Sequence, residues 1–152
     1  MELLQKYVRQ KLVVNQIQYS IPFSNIVANG MEVNMLTDGA IDRDGSVLDY
    51  CRLKDITIQT WSPFQYGFFE GVFLGSDKYP ELNRVIGEVA GRYRVSDTAI
   101  VIAWLLRHPA RFQPVTGTTD PERLRDICRA SDLVLTRKEW YDIFLAAGNT
   151  LP

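Results

Sequence analysis

The feature that most restricts the fold is the run Ala99-Ile100-Val101-Ile102-Ala103-Trp104-Leu105-Leu106, eight residues without a charge. Ser96 stands where a helix N-cap belongs, and Pro109 follows where a helix has to stop. A helix that is mostly apolar must be buried by its neighbours. The run is far short of the roughly 20 residues that a bilayer span needs. The cover therefore has to come from the rest of the chain. Three short segments rich in β-branched or aromatic residues, at 12–17, 56–61 and 112–116, read as strands. Helical spacing is found at 2–10, from a Ser46 cap through Lys54, at 79–93, and from Ser96 to near His108. Asp120-Pro121-Glu122 supplies an N-cap, a proline at the first helical position and an acid after it, and Thr136-Arg137-Lys138-Glu139 is a capping box for a last helix. Residues 22–45, with turn signals at Asn29-Gly30 and Asp42 to Gly45 around a weak segment at 31–37, read as a long, partly ordered loop.

Strands that alternate with helices describe βαβα units, hence an α/β fold with a parallel sheet and right-handed crossovers. No repeat, low-complexity tract or linker divides residues 1–152, which are expected to form one domain. Seventeen Lys and Arg against eighteen Asp and Glu leave a net charge of -1. No overall field then attracts phosphate polymers or anionic lipid, so neither nucleic acid nor a membrane is expected as a partner. The first residues read as an amphipathic helix rather than a signal peptide, and a cytoplasmic location is expected. Two cysteines far apart give no zinc-site spacing, and no metal is expected. His108 is the only histidine and lies between Arg107 and Pro109 at the end of the apolar helix. There it reads as a residue facing the helix macrodipole rather than as a catalytic base.

Loops at the C-terminal ends of parallel strands are where such sheets bind ligands, and three stretches fall there. Gln16, in Asn15-Gln16-Ile17-Gln18-Tyr19, carries a carboxamide that can recognise another amide or simply bond to nearby backbone. Trp61-Ser62-Pro63-Phe64-Gln65-Tyr66-Gly67 offers a flat aromatic, a hydroxyl and backbone N–H groups. It reads either as a stacking platform beside an anion site or as a core Trp entering a surface loop. In Pro114-Val115-Thr116-Gly117-Thr118-Thr119-Asp120-Pro121-Glu122-Arg123, a strand runs into a glycine turn, two hydroxyls and a helix N-terminus, with Arg123 one turn in. That is the pattern of a phosphate site, or of an ordinary capped loop with a solvated Arg.

Taken in this order, the three stretches and the apolar helix through His108 and Pro109 resemble the C-terminal half of an aldo-keto reductase. The resemblance spans essentially the whole chain. It implies part of an eight-stranded (β/α) barrel, roughly strands six to eight with their helices, and binding of NADP, or of NAD. It further implies that Gln16 meets the nicotinamide carboxamide and that Trp61 stacks on the nicotinamide ring. Ser62, Pro63, Phe64 and Gln65 would hold the pyrophosphate; Gly117, Thr118, Thr119 and Arg123 would surround the 2′-phosphate; Asp126 would lie near the adenine. Gly117 replaces a lysine found in some members, and Ile127 an asparagine found in many. The family's catalytic Asp, Tyr, Lys and His belong to the first half of the barrel, and no segment here resembles the motifs that hold them. No residue of this chain is therefore expected to be catalytic, and a small carbonyl substrate is expected only if the missing half completes the site. A complete barrel needs about 250 residues, so 152 are expected to be part of one. Open strand edges and a sheet face without cover imply a homo-oligomer or, as the alternative, a non-enzymatic half-barrel that pairs with a separate chain and keeps residual nucleotide or phosphate binding.

Overall fold

Three parallel strands, β1 (Val14–Gln18), β2 (Thr57–Trp61) and β5 (Gln113–Pro114), pair in the order β1-β2-β5. They belong to a computed structural model that describes residues 1–28, 31, 41, 45–67 and 70–151. The pairing aligns Val14 with Thr57 and Gln18 with Trp61, and Gln59 with Gln113. Strand residues alternate between faces. In β2, Ile58 and Thr60 are accordingly buried beneath the helices, while Thr57, Gln59 and Trp61 are exposed or half-buried on the other face.

Five helices cover one side or extend the connections: α3 (Val47–Leu53), α4 (Pro80–Tyr93), α5 (Asp97–Leu106), α6 (Pro121–Arg129) and α7 (Arg137–Ala146). Two one-turn helices, α1 (Glu2–Gln5) and α2 (Asn25–Ala28), precede them. Every residue of α5 from Ala99 to Leu105 is buried, because α5 lies against α4, α6 and β5. The expected cap is present, with Ser96 Oγ accepting from the Ala99 N–H. Asp120 caps α6, and Thr136 with Glu139 forms the capping box of α7. No helix among the described residues is long and apolar enough to cross a membrane.

Four expectations need correction. The helix at 2–10 stops at Gln5, whose side chain takes over the following backbone: Nε2 donates to the Val8 and Gln10 carbonyls at 3.1 and 3.0 Å, and Oε1 accepts from the Leu12 N–H at 2.8 Å. Side-chain bonds of this kind compete with the helix ladder. Strand one consequently starts at Val14 and runs to Gln18 rather than covering 12–17. Ser46 is left-handed (φ 57°) and its side chain does not cap α3. Strand three is only Gln113–Pro114, because proline has no N–H for the ladder, although the Val115 N–H still reaches the Thr60 carbonyl at 2.9 Å. Most of the 22–45 loop, including nearly all of the 31–37 segment, lies outside the described residues; its described start carries α2.

The core is aromatic at its centre. Trp104 of α5 and Trp140 of α7 stack with ring centroids 4.8 Å apart, and each indole N–H donates to the other's backbone carbonyl, at 3.0 and 3.1 Å. Tyr19 stacks on Trp104 and tilts against Phe112, its hydroxyl buried and pushed well above the usual tyrosine range by that burial.

Two titratable groups make this packing sensitive to acid. His108 lies against Phe112 at 4.8 Å, and its Nδ1 accepts from the Ala110 N–H at 3.2 Å. Burial, with repulsion from Arg52, lowers it to about 4. A macrodipole would raise it, so the expected helix-end role is replaced by that of a packed, neutral ring. For Glu139, burial alone would raise the carboxyl, but the Thr136 N–H and hydroxyl, Tyr93 and Arg92 bring it down to about 2. Both groups bind protons more readily when unfolded, so stability is present at neutral pH and falls as pH drops. The His108 share is lost from 6.5 toward 4 and the Glu139 share from 4.5 toward 2. Because His108 is partly solvated, its share is about 1–2 kcal/mol. Urea unfolding at pH 7 and pH 4.5 checks this, and His108→Gln should flatten the dependence above pH 4.5.

Candidate functional site at the strand ends

The chain leaves β2 through Ser62, a left-handed residue (φ 52°) that turns the loop sharply. The Gln65 N–H then returns to the Ser62 carbonyl at 3.1 Å, and a two-residue hairpin follows, β3 (Gln65–Tyr66) with β4 (Gly71–Val72). Gly67 and Gly71 both take positive φ, 60° and 140°, which accounts for glycine at each position. The hairpin is tied to the end of β1: Ser20 Oγ donates to the Gln65 carbonyl at 2.6 Å and Gln18 Nε2 to the Gly67 carbonyl at 2.5 Å. Sequence reasoning missed both residues and the hairpin. The polar repeat Gln16, Gln18, Ser20 was the available signal, since alternate residues of a strand share a face.

The loop between β5 and α6 is ordered by its own side chains. Thr118 Oγ1 accepts from the Asp120 N–H at 3.2 Å, and Asp120 Oδ1 accepts from the N–H groups of Glu122 and Arg123 at 2.9 and 3.4 Å. The first N–H groups of α6 are thus engaged by the expected Asp120 cap. The Asp120 carboxylate occupies two of them, leaving the loop hydroxyls and Arg123.

The two loops meet. The Arg123 guanidinium carbon lies 5.1 Å over the Phe64 ring. Between the loops is a cavity of about 350 Å³, lined by Ser62, Pro63, Phe64 and Gln65 on one side and by Gly117, Thr118, Arg123 and Ile127 on the other. Two polar groups of these lining residues stand out among the described residues. Gln65 Oε1 is buried without a hydrogen bond, and no carboxylate pairs with Arg123. A guanidinium without a carboxylate partner is a group that an anionic ligand can satisfy. Gly117 is not needed for space or backbone, since a Cβ there would meet nothing within 4 Å.

The remaining sequence candidates lie elsewhere. Gln16 and the half-buried Trp61 stand on the open face of the sheet, beside the cavity rather than lining it. Thr119 is exposed. Asp126 belongs to a different groove along α6, where it sits 4.0 Å from Arg129. A larger cavity of about 600 Å³ lies near the starts of β1 and β2 and gathers Lys6, Arg9, Lys11 and Lys54. It contains neither candidate loop.

The sequence profile of the aldo/keto reductase family matches residues 5–144. This chain belongs to the aldo/keto reductase family. Among curated relatives of this aldo/keto reductase chain, a 6-dehydroglucose reductase of Agrobacterium fabrum is 34% identical over 146 residues, covering 95% of this chain and 42% of the relative. Among solved structures, the thermostable aldo-keto reductase Tm1743, in complex with the inhibitor epalrestat, has a TM-score of 0.63 at 22% identity, over 95% of this chain and 43% of its own. A mutant of Gox0644 in complex with NADPH has a TM-score of 0.62 at 16% identity, over 99% and 45%. The fold is thus an α/β piece of the aldo/keto reductase barrel, and the chain spans less than half the length of the relatives it matches. The family is one of NADP-dependent oxidoreductases.

Proposed function

We propose that residues 1–152 form one domain, the NADP-binding part of an aldo/keto reductase barrel that corresponds to strands six to eight with their helices. The observation that carries this reading is the cavity in which the loop after β2 and the loop after β5 meet, with Arg123 over Phe64 and without a carboxylate partner among the described residues. Arg123, with Thr118 and Thr119, holds the 2′-phosphate, and Ser62 to Gln65 hold the pyrophosphate. The open sheet face presents Trp61 to the nicotinamide ring and Gln16 to its carboxamide. When bound, the cofactor supplies the hydride for reduction of a small carbonyl compound, and that step requires completion of the barrel by another part. The position of Asp126, apart from the cavity, favours no role for it at the adenine.

Guanidinium to phosphate is a charge-assisted and often bidentate pair. Arg123→Ala is therefore expected to weaken NADPH binding by about 1.5–3 kcal/mol while affecting NADH much less, and the difference should shrink with added salt. Isothermal titration with both cofactors measures it. Equal losses for the two would mean that Arg123 does not read the 2′-phosphate.

Self-association is the second part of the proposal. Among the described residues β1 and β5 are edge strands, and Val13, Val14 and Val115 are 51%, 40% and 36% exposed. Parallel sheets are normally covered on both faces, and pairing of two copies would supply that cover. Light scattering should give a mass above the monomer at micromolar concentration; a monomer whose melting does not depend on concentration would contradict it.

A further inference from the structure

The register of the sheet sets Gln16 opposite Gln59 and Gln59 opposite Gln113. Aligned residues on neighbouring strands share a face at roughly 5 Å spacing. Three carboxamides consequently form a row across the whole open face. The row has a direction: Gln16 Nε2 donates to Gln59 Oε1 at 3.4 Å, and Gln59 Nε2 donates to Gln113 Oε1 at 3.0 Å. A carboxamide has donors on one arm and an acceptor on the other. A lone exposed glutamine can turn over between two orientations with little preference. Here the Gln113 oxygen holds the Gln59 amino group, which points the Gln59 oxygen at Gln16 and draws the Gln16 amino group toward it. Turning Gln16 over alone would set two oxygens against each other, so the three amides keep one common sense. Gln16 is left with its own oxygen and one N–H to present to a ligand, the complement of another carboxamide.

We propose that Gln59 and Gln113 are positioning residues for Gln16, fixing through this row of carboxamides which way round the Gln16 amide faces its ligand. The inference rests on the reading of Gln16 as the group that meets the nicotinamide carboxamide. Gln113 lies two strands from Gln16 and acts only through Gln59.

The test is titration of the full chain with NADP⁺ and with 2′,5′-ADP, which has the phosphates but no nicotinamide. Gln113→Met removes the acceptor that starts the row and should weaken NADP⁺ binding about 3- to 10-fold, in line with the loss of one ordinary hydrogen bond, while 2′,5′-ADP binding stays unchanged. Gln113→Glu keeps an acceptor for Gln59 Nε2 and should retain the affinity of the unmodified protein, which a merely structural role for residue 113 would not explain. Gln59→Met, close in volume, should weaken NADP⁺ as Gln113→Met does, and serves if that variant folds poorly. Gln16→Leu measures the whole carboxamide contribution. The proposal is overturned if Gln16→Leu weakens NADP⁺ but Gln113→Met and Gln59→Met do not, or if Gln113→Glu is as damaging as Gln113→Met. If Gln16→Leu has no effect, or 2′,5′-ADP does not bind, the reading of the site fails and the proposal with it.

Discussion

Given NADPH and a small aldehyde, the 152-residue chain is expected to show almost no turnover, at least about 10³-fold below an ordinary enzyme. Hydride delivery to a carbonyl leaves an alkoxide that must be protonated or held electrostatically. A positioned general acid typically contributes about 10²–10⁴-fold, and a single oxyanion donor about 10²–10³-fold. The cavity lining has Ser62, Gln65, Thr116, Thr118 and Arg123 as its polar side chains, and no carboxylic acid, histidine or tyrosine is among them. The open face adds Gln16, Gln18, Thr57, Gln59, Trp61 and Gln113, again without a proton donor of suitable strength. Following NADPH absorbance in a preparation shown by mass to hold only this chain gives the answer. Turnover on the order of 1 per second would contradict the account, because a proton donor would then have to exist where none is described.

Trp104→Ala should have the largest effect on stability. The side chain is fully buried, stacked on Trp140 and Tyr19, and joined to α7 by reciprocal indole bonds. Removing a buried Trp costs about 3–5 kcal/mol, the lost transfer energy plus the cavity left behind. At this chain length each kcal/mol moves the melting midpoint by about 2–4 °C, so a fall of roughly 6–20 °C is expected. Trp104→Phe should cost less, since a ring remains in the stack while the Trp140 carbonyl loses its donor. Thermal and urea unfolding distinguish them; a loss below about 1 kcal/mol for the alanine variant would mean that the core closes around the gap.

What could be read from the sequence was what depends on neighbours in the chain. The caps at Ser96, Asp120 and Thr136 were legible because a cap accepts from an N–H only two or three residues further along the chain. The burial of α5 was legible from its unbroken apolar run. Ser46 misled because its backbone is left-handed, whereas a capping serine takes the extended conformation that Ser96 and Thr136 have. The N-terminal helix misled because one side chain, Gln5, replaced three backbone partners, which helical periodicity cannot register. The β3–β4 hairpin was hidden because two-residue strands carry no alternation to detect. In the site, each loop could be picked out singly, but that Arg123 reaches Phe64 is a tertiary fact. The carboxamide row is another, since three glutamines on separate strands align only once the register is set.

The central claim is that the loops after β2 and β5 together bind the phosphates of NADP. It is tested most directly by titrating the ¹⁵N-labelled chain with 2′,5′-ADP and following backbone amide shifts by NMR. The account predicts saturable shifts concentrated at Ser62, Phe64, Gly117, Thr118 and Arg123, with the other phosphate-sized candidate, the cationic cavity of Lys6, Arg9, Lys11 and Lys54, left unmoved. Shifts confined to that second cavity, or none at millimolar ligand, would contradict it.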